Sequence, residues 1–255
     1  MATTWGEAAR YATLEKAGEG AFGAVFRARD WWNGAEVALK RVRVDVRQMP
    51  TNALHELNTL GQLSGVSPHV MPLHGAHTHG ANMVLVMPFV SCSLATVLAG
   101  RNLPLAEAHI ACLGQMLLSG LSAIHAEGLV HRDIKPANLL LDRLGTLLIA
   151  DFGQARLIPR RQDVSLSHAV ATRWYRAPEL LLGARRYGAG VDIWACGCVL
   201  AQLFTISPLL PGDCDIGQLL RVIEFLGSPT EATWPVRHAR IENACVGRTQ
   251  LGVHY

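Results

Sequence analysis

The sequence predicts an α+β protein of two lobes, a small antiparallel sheet with one main helix followed by a larger, mostly helical part. Three observations predict this. In the first third, apolar residues alternate or cluster around Gly and Asn turns in Tyr11–Ala17, Ala24–Asp30 and Glu36–Val42, the pattern of strands with one buried face. After Pro88 the apolar spacing becomes helical, most clearly at Ile110, Leu113, Leu117, Leu118, Leu121 and Ile124. The length of 255 residues is enough for one large core or two lobes. The expected division is an N-terminal extension 1–10, a small lobe 11–87, a connection 88–91, a large lobe 92–235 and an atypical tail 236–255.

Within the small lobe, Pro50-Thr51-Asn52 opens a helix that carries Ala53, Leu54, Leu57, Leu60 and Leu63 on one face. Val70–Leu73 and Met83–Met87 read as two further strands. The loop between them carries His74, His77 and His79, read as a solvated turn because no carboxylate or cysteine accompanies them to complete a metal site. In the large lobe, Leu105–Glu127 is a long helix, and Leu139–Leu141 and Leu147–Ala150 form a hairpin about a turn at Asp142–Gly145. An exposed polar loop runs from Ile158 to Ala171, and helices follow at Ala177–Leu182, Val191–Phe204 and Ile216–Leu226.

Composition excludes several classes. The net charge of +3 and the absence of any basic run longer than Arg160-Arg161 or Arg185-Arg186 argue against a nucleic-acid surface. The longest apolar stretch, Ile193–Phe204, is about half of the ~20 residues a membrane span needs, so no membrane partner is expected. The six cysteines make no Cys-x-x-Cys, and Cys196 and Cys198 fall in an apolar helical pattern, the signature of buried thiols in a reducing compartment. Only three of the 23 basic residues are lysine. Two of them, Lys40 and Lys135, sit in motifs, where lysine's compact ammonium differs in kind from arginine's fork.

The motifs themselves are ordered along the chain. Gly18-Glu19-Gly20-Ala21-Phe22-Gly23-Ala24-Val25 is a G-x-G-x-x-G-x-V between two strands, where glycines let backbone amides approach phosphates. Alone it reads equally well as a glycine-rich hairpin turn. Val37-Ala38-Leu39-Lys40 follows on the next strand and Glu56 lies on the first helix, so a Lys40–Glu56 ion pair is the sharper alternative to two solvated charges. His131-Arg132-Asp133-Ile134-Lys135-Pro136-Ala137-Asn138 and Asp151-Phe152-Gly153 flank the predicted hairpin. Two carboxylates, a lysine and an asparagine at this spacing suit phosphoryl transfer, in which one carboxylate orients the attacking hydroxyl while the other and the amide hold magnesium.

This ordered set resembles the eukaryotic protein kinases from Tyr11 to about Trp234. The run Ala171-Thr172-Arg173-Trp174-Tyr175-Arg176-Ala177-Pro178-Glu179 is similar to the group of cyclin-dependent and mitogen-activated kinases. Asn52-Ala53-Leu54-His55-Glu56, Pro136-Ala137-Asn138 and Gly183-Ala184-Arg185-Arg186-Tyr187 look most like its cell-cycle-related, cyclin-dependent-kinase-like branch. The resemblance implies a two-lobed protein kinase fold and the cofactors ATP and Mg²⁺. It implies Asp133 as catalytic base, Lys135 on the transferring phosphoryl, Thr172 beside the catalytic loop, and Asn138 and Asp151 as Mg²⁺ ligands. ATP would contact Ala17, Gly18, Glu19, Gly20, Ala21, Phe22, Gly23, Ala24, Val25, Ala38, Lys40 and Glu56. It would also contact Met87 as gatekeeper, Phe89 and Val90 in the hinge that Pro88 opens, and Leu140 beneath the adenine. Asp192 would anchor the central helix to the catalytic loop. Val170, Ala171 and Arg173 would form a pocket favouring proline after the target residue. Ser167 stands at the position of an activating phosphothreonine, where a phosphate would pair with Arg132 and Arg156; the plainer reading is one loop serine among several.

The implied partners are proteins with Ser/Thr-Pro sites, a cyclin-like activator and an upstream kinase. The implied setting is the cytoplasm or nucleus, with a cell-cycle or cilium-related role. The chain departs from the family pattern at His55, where an arginine is usual, at Gln154 after Asp-Phe-Gly, at Pro88 in the hinge, and beyond Pro235, where the family's last helices are not legible. Without them Glu179 would lack its usual arginine partner. The rival readings are a catalytically impaired kinase-like scaffold and a small-molecule kinase; the latter fits the Thr172–Glu179 platform less well.

Overall fold

The computed structural model describes residues 10–20, 23–43, 51–80, 82–158, 166–167, 171–230 and 234. Ala21, Phe22, Pro50, Val170 and the tail 236–255 lie outside the described residues.

The small lobe is a five-stranded antiparallel sheet of β1 (Tyr11–Gly20), β2 (Gly23–Asp30), β3 (Glu36–Arg43), β4 (Gly75–His79) and β5 (Asn82–Pro88). The strand order is β1-β2-β3-β5-β4. Side chains alternate across a strand, and β3 uses both faces. Val37 and Leu39 enter an upper cluster with Ala28, Val84 and Val86. Ala38 and Lys40 point the other way, opposite Met87 and Leu85 of β5 in the register. Helix α1 (Thr51–Leu63) closes that second face, burying Leu60 and Leu63 in the same cluster as Leu85 and Phe152.

One strand expectation is corrected. Val70–Leu73 is not a strand: Val70 makes an isolated bridge to Ile149, and the backbone N–H of Met71 donates to the Ile149 carbonyl at 2.9 Å. The apolar run is buried as a linker, and the fourth strand is Gly75–His79, which carries His77 and His79. His77 stacks on Tyr11 with ring centroids 5.8 Å apart. Among the described residues no group of three His, Cys, Asp or Glu side chains is placed to hold a metal.

The large lobe follows the short strand β6 (Cys92–Ser93) and helix α2 (Leu94–Ala99), which Ser93 caps by accepting from the Thr96 N–H. Its core is α3 (Glu107–Ala126) packed on α5 (Gly190–Thr205). Helix α3 has the length and apolar content of a membrane span, but its stripe of Ile110, Leu113, Leu117, Leu121 and Ile124 is buried inside the lobe. Gly120 on this helix has no room for a side chain, since a Cβ would lie 2.8 Å from Ile149 Cδ1 and 3.0 Å from the His69 carbonyl. The hairpin of residues 139–149 is pressed against α3 at this point.

That hairpin is β8 (Leu139–Leu141) and β9 (Leu147–Ile149), paired in register with Leu140 opposite Leu148. Asp142 shapes its turn by accepting from the backbone N–H of Leu144 at 2.9 Å and of Thr146 at 2.7 Å. Strands β7 (Leu129–Val130) and β10 (Arg156–Leu157) pair on either side of it. The lobe is completed by α4 (Pro178–Leu181) and α6 (Asp215–Leu226). Cys196 and Cys198 are buried free thiols on α5, and burial pushes them up to about 11 and about 12.

Candidate active site

The site lies where β3, α1 and the two ends of the β8–β9 hairpin meet. The chain reaches it through two strained residues. Arg132 and Asp151 have φ of 69° and 63°, a region that costs a non-glycine residue about 1 kcal/mol or more and clusters at functional sites. The strain is held by Asp192 at the start of α5, which is 1% exposed. Its carboxylate accepts from the backbone N–H groups of His131 and Arg132 and from His125 Nε2, each at 2.8 Å. His131 then fixes the second half, since its Nε2 donates to the Ala150 carbonyl at 3.0 Å while its Nδ1 accepts from the Asp133 N–H at 3.2 Å.

Asp133 is the hub. One carboxylate oxygen accepts from Lys135 Nζ at 2.8 Å and Asn138 Nδ2 at 3.0 Å. The other accepts from the backbone N–H and the hydroxyl of Thr172, both at 3.2 Å. A carboxylate held this way faces one cavity in one orientation, as a group that must aim at a hydroxyl requires.

Lys40 is the second hub, 8% exposed. Its ammonium donates to Glu56 at 2.6 Å and to Asp151 at 2.7 Å. Burial alone would lower the lysine, but the two carboxylates outweigh it and hold Lys40 above its ordinary value. Burial acts on Asp151 in the opposite sense, and Lys40 again prevails, holding that carboxyl below its ordinary value. A fixed cation and a fixed anion thus stand side by side at the mouth of the cleft.

The donor set fits a hard divalent cation. Asn138 spends its amide N–H groups on the Asp133 carbonyl and carboxylate, which leaves its carbonyl oxygen for a metal. Asp151 gives one oxygen to Lys40, and its side chain remains 37% exposed. Oxygen ligands of this kind suit Mg²⁺.

The remaining residues divide into those that gather at the cleft and those that do not. Val25 lies opposite Lys40, and Ala38 opposite Met87, in the sheet register, so all four share the cleft face. Leu140 is half-buried on the strand below. The N–H of Phe89 donates to the Glu36 carbonyl at 3.3 Å, and the Arg27 guanidinium lies over its ring. Val90 is half-buried. In the glycine hairpin Gly20 pairs with Gly23. At Gly23 (φ 149°) a Cβ would sit 2.1 Å from the Arg41 carbonyl, so this glycine is required by packing against β3 whatever approaches from the cleft. Ala17, Gly18 and Glu19 lie on β1, and Ala24 lies on β2 opposite Glu19.

Arg173 is turned away from Ala171. Its guanidinium donates to Asp215 at 3.0 Å and to the Asp213 carbonyl at 2.8 Å, at the start of α6. Arg176 reaches Ala171 in its place, donating to that carbonyl at 2.9 Å and pairing with Asp215. Neither Arg176 nor Tyr187 was expected at the site. Two arginines three residues apart look equivalent in the sequence, but Arg173 lies inside the 3-10 turn Arg173–Tyr175 and Arg176 just past its end in extended backbone. Ser167 is exposed, and its carbonyl lies 3.5 Å from Arg132 Nη1. Arg156 donates to the Ala155 carbonyl at 2.7 Å. His55 is exposed on α1, and the Gln154 carbonyl accepts from Arg132 Nε at 2.7 Å. Burial pushes the Glu179 carboxyl up, and among the described residues no basic side chain pairs with it.

Comparison with known proteins agrees on one assignment. The family model described as "Protein kinase domain" matches residues 11–242. Cyclin-dependent kinase 20 of Rattus norvegicus is 45% identical over 228 residues, which cover 89% of this chain and 66% of that protein. Cyclin-dependent kinase 7 of Xenopus laevis is 43% identical over 233 residues, covering 89% and 65%. Among solved structures, a chain in the structure of the CAK complex from Chaetomium thermophilum bound to ATP-gamma-S aligns with a TM-score of 0.82 at 32% identity, over 95% of this chain and 77% of that one. The chain spans 66% of the length of the first of these relatives.

Proposed function

Because the chain belongs to the protein kinase family, we propose that it transfers the γ-phosphoryl group of ATP to Ser or Thr hydroxyls of proteins. The observation that carries this is the pair of hubs, with Lys40 held by Glu56 and Asp151 and Asp133 held by Thr172, Lys135 and Asn138. Lys40 would bind the α- and β-phosphates, and Asp133 would align the incoming hydroxyl and take its proton. Lys135, beside Asp133, would meet the charge that develops on the transferring group. Mg²⁺, when bound by Asn138 and Asp151, neutralises phosphate charge. Val25, Ala38 and Leu140 would hold the adenine between the lobes and exclude water. Most of the catalysis is therefore orientation and charge placement rather than covalent chemistry.

The proposal extends to substrates with proline after the target residue. The Ala171 carbonyl is already engaged by Arg176, so it is not available to the N–H of a bound peptide. A residue with an N–H would leave that donor unpaired, whereas proline has none to lose. It extends also to a cyclin-like activator and cell-cycle signalling, supported by the relatives' names. Action in the cytoplasm, nucleus or cilium and activation through Ser167 by an upstream kinase are further parts of it. The kinase-like scaffold is the weaker reading, because a scaffold has no use for two charged hubs beside one cleft. The experiment is phosphotransfer by the purified chain to paired Ser-Pro and Ser-Ala peptides, with Asp151→Ala as control. Transfer to Ser-Pro at least about tenfold faster, lost in the control, is expected from one unpaired donor. Transfer that survives Asp151→Ala contradicts the proposal.

A further inference from the structure

We propose that Tyr187 is a positioning residue whose hydroxyl closes a phosphate-independent clamp between Arg132 and the backbone of Ser167. The inference deepens the kinase reading and rests on it for its catalytic consequence.

Arg132 is buried, 4% exposed, and among the described residues its guanidinium meets only neutral oxygens. Nε donates to the Gln154 carbonyl at 2.7 Å, and Nη1 donates to the Tyr187 hydroxyl at 2.7 Å and reaches the Ser167 carbonyl at 3.5 Å. The Tyr187 hydroxyl in turn donates to that same carbonyl. Both capacities of the phenol are used, acceptance from a cation and donation to a backbone oxygen. A second tie lies alongside, from the Leu166 N–H to the Arg185 carbonyl at 2.8 Å. Leu166 and Ser167 are thus hung from the segment 185–187 and from the catalytic loop together.

Ser167 is five positions before Thr172, whose hydroxyl and N–H hold Asp133. What anchors Ser167 therefore limits where the Ala171 bend and Thr172 can sit. Arg132 belongs to the same loop as Asp133, and Asp192 fixes its backbone. The clamp then ties the segment leading to the substrate platform to the loop that carries the base. The plainer role for Tyr187 is packing, since its ring lies against the cluster of Val130, Ala177, Leu180 and Val191. Tyr187→Phe keeps that packing and removes only the hydroxyl.

A phosphate on Ser167 would bring an anion to the same guanidinium, which makes the hydroxyl redundant. The test measures peptide phosphorylation by wild type and Tyr187→Phe, each with serine or with phosphoserine installed at position 167. Hydrogen exchange over 166–176 is followed in parallel. With serine, Tyr187→Phe is expected to lower kcat/KM for peptide about tenfold, the scale of one lost hydrogen bond to a charged group. The KM for ATP stays unchanged, and exchange at the Leu166 amide becomes faster. With phosphoserine the loss shrinks to less than about twofold, because the anion takes over the same guanidinium. Equal losses in the two forms, or unchanged exchange, overturn the proposal. If wild type transfers nothing, the kinase reading fails on its own, and the exchange measurement still decides whether the hydroxyl holds the segment.

Discussion

Lys40 and Arg132 are both buried cations beside the same cleft, and the chain satisfies them in opposite ways. Lys40 is clamped by two carboxylates at 2.6 and 2.7 Å. Arg132 is met by two carbonyls and a phenol, and among the described residues no carboxylate pairs with its guanidinium. The first arrangement more than compensates its cation and fixes geometry. The second keeps its positive charge uncompensated at the place where an exposed serine sits. A catalytic cation has to be the same in every molecule, whereas a regulatory cation is useful only if an added anion changes its surroundings.

Stability separates the two most strongly. Lys40→Met leaves Glu56, 2% exposed, and Asp151 without their cation. Removing one partner of a buried pair typically costs about 3–5 kcal/mol, so a large fall in denaturant midpoint is expected for this variant. Lys40→Met combined with Glu56→Gln should recover part of it. Arg132→Met removes a charge that had no counter-ion and leaves only neutral acceptors unpaired, so about 1–3 kcal/mol is expected. Equal costs at the two positions would erase the distinction drawn here.

The pH dependence sharpens the same contrast. Lys40 is raised above its usual value by its carboxylates, so its contribution is complete below the ordinary lysine range and disappears as pH rises through the higher folded value. Asp151 is lowered, so its contribution is complete above the ordinary carboxylate range and disappears as pH falls through the lower folded value. Burial holds the Glu56 carboxyl above its ordinary value even beside Lys40, so in Lys40→Met it takes up a proton at higher pH than in wild type. The stability difference between wild type and Lys40→Met should therefore shrink as pH falls and Glu56 becomes neutral, and again as pH rises above the lysine range. Urea titrations at several pH values test this. A difference that grows as pH falls would contradict the assignment.

The smallest expected effect concerns the two arginines of the platform. Arg173→Ala removes an exposed pair with Asp215, with side chains 41% and 53% exposed, and should cost under about 1 kcal/mol. It should leave the preference for Ser-Pro over Ser-Ala peptides nearly unchanged. Arg176→Ala frees the Ala171 carbonyl and should reduce that preference. Melting curves and paired-peptide rates distinguish them.

What was legible in the sequence follows from the range of the interactions. The β8–β9 hairpin is readable because two leucine-rich runs flank Asp142 and Gly145, and those two residues make its turn, Asp142 as acceptor and Gly145 at φ 80°. The long helix was readable because one apolar stripe spans it. Strand β4 is not legible because Gly75-Ala76-His77-Thr78-His79 carries no large aliphatic residue, and its face is completed by Tyr11 stacking from a distant strand. Val70–Leu73 has the sequence of a strand but is a linker, because a buried linker and a buried strand share one apolar signature. At the site, the hubs were readable through an ordered set of short motifs. The Tyr187 contact joins residues 55 apart to Arg132 and 20 apart to Ser167, and no periodicity signals it. Arg176 meets the carbonyl of a left-handed residue, Ala171, which alanine's own preferences do not announce.

The most direct measurement is single-turnover transfer from ATP to a Ser-Pro peptide by wild type and by Asp133→Asn, with ATP affinity measured on both. Asparagine keeps the shape and the acceptor facing Thr172 but cannot take a proton. A loss of about 10²–10⁴-fold in the transfer step with unchanged ATP affinity is predicted. Transfer at the wild-type rate would contradict the placement of the base at Asp133.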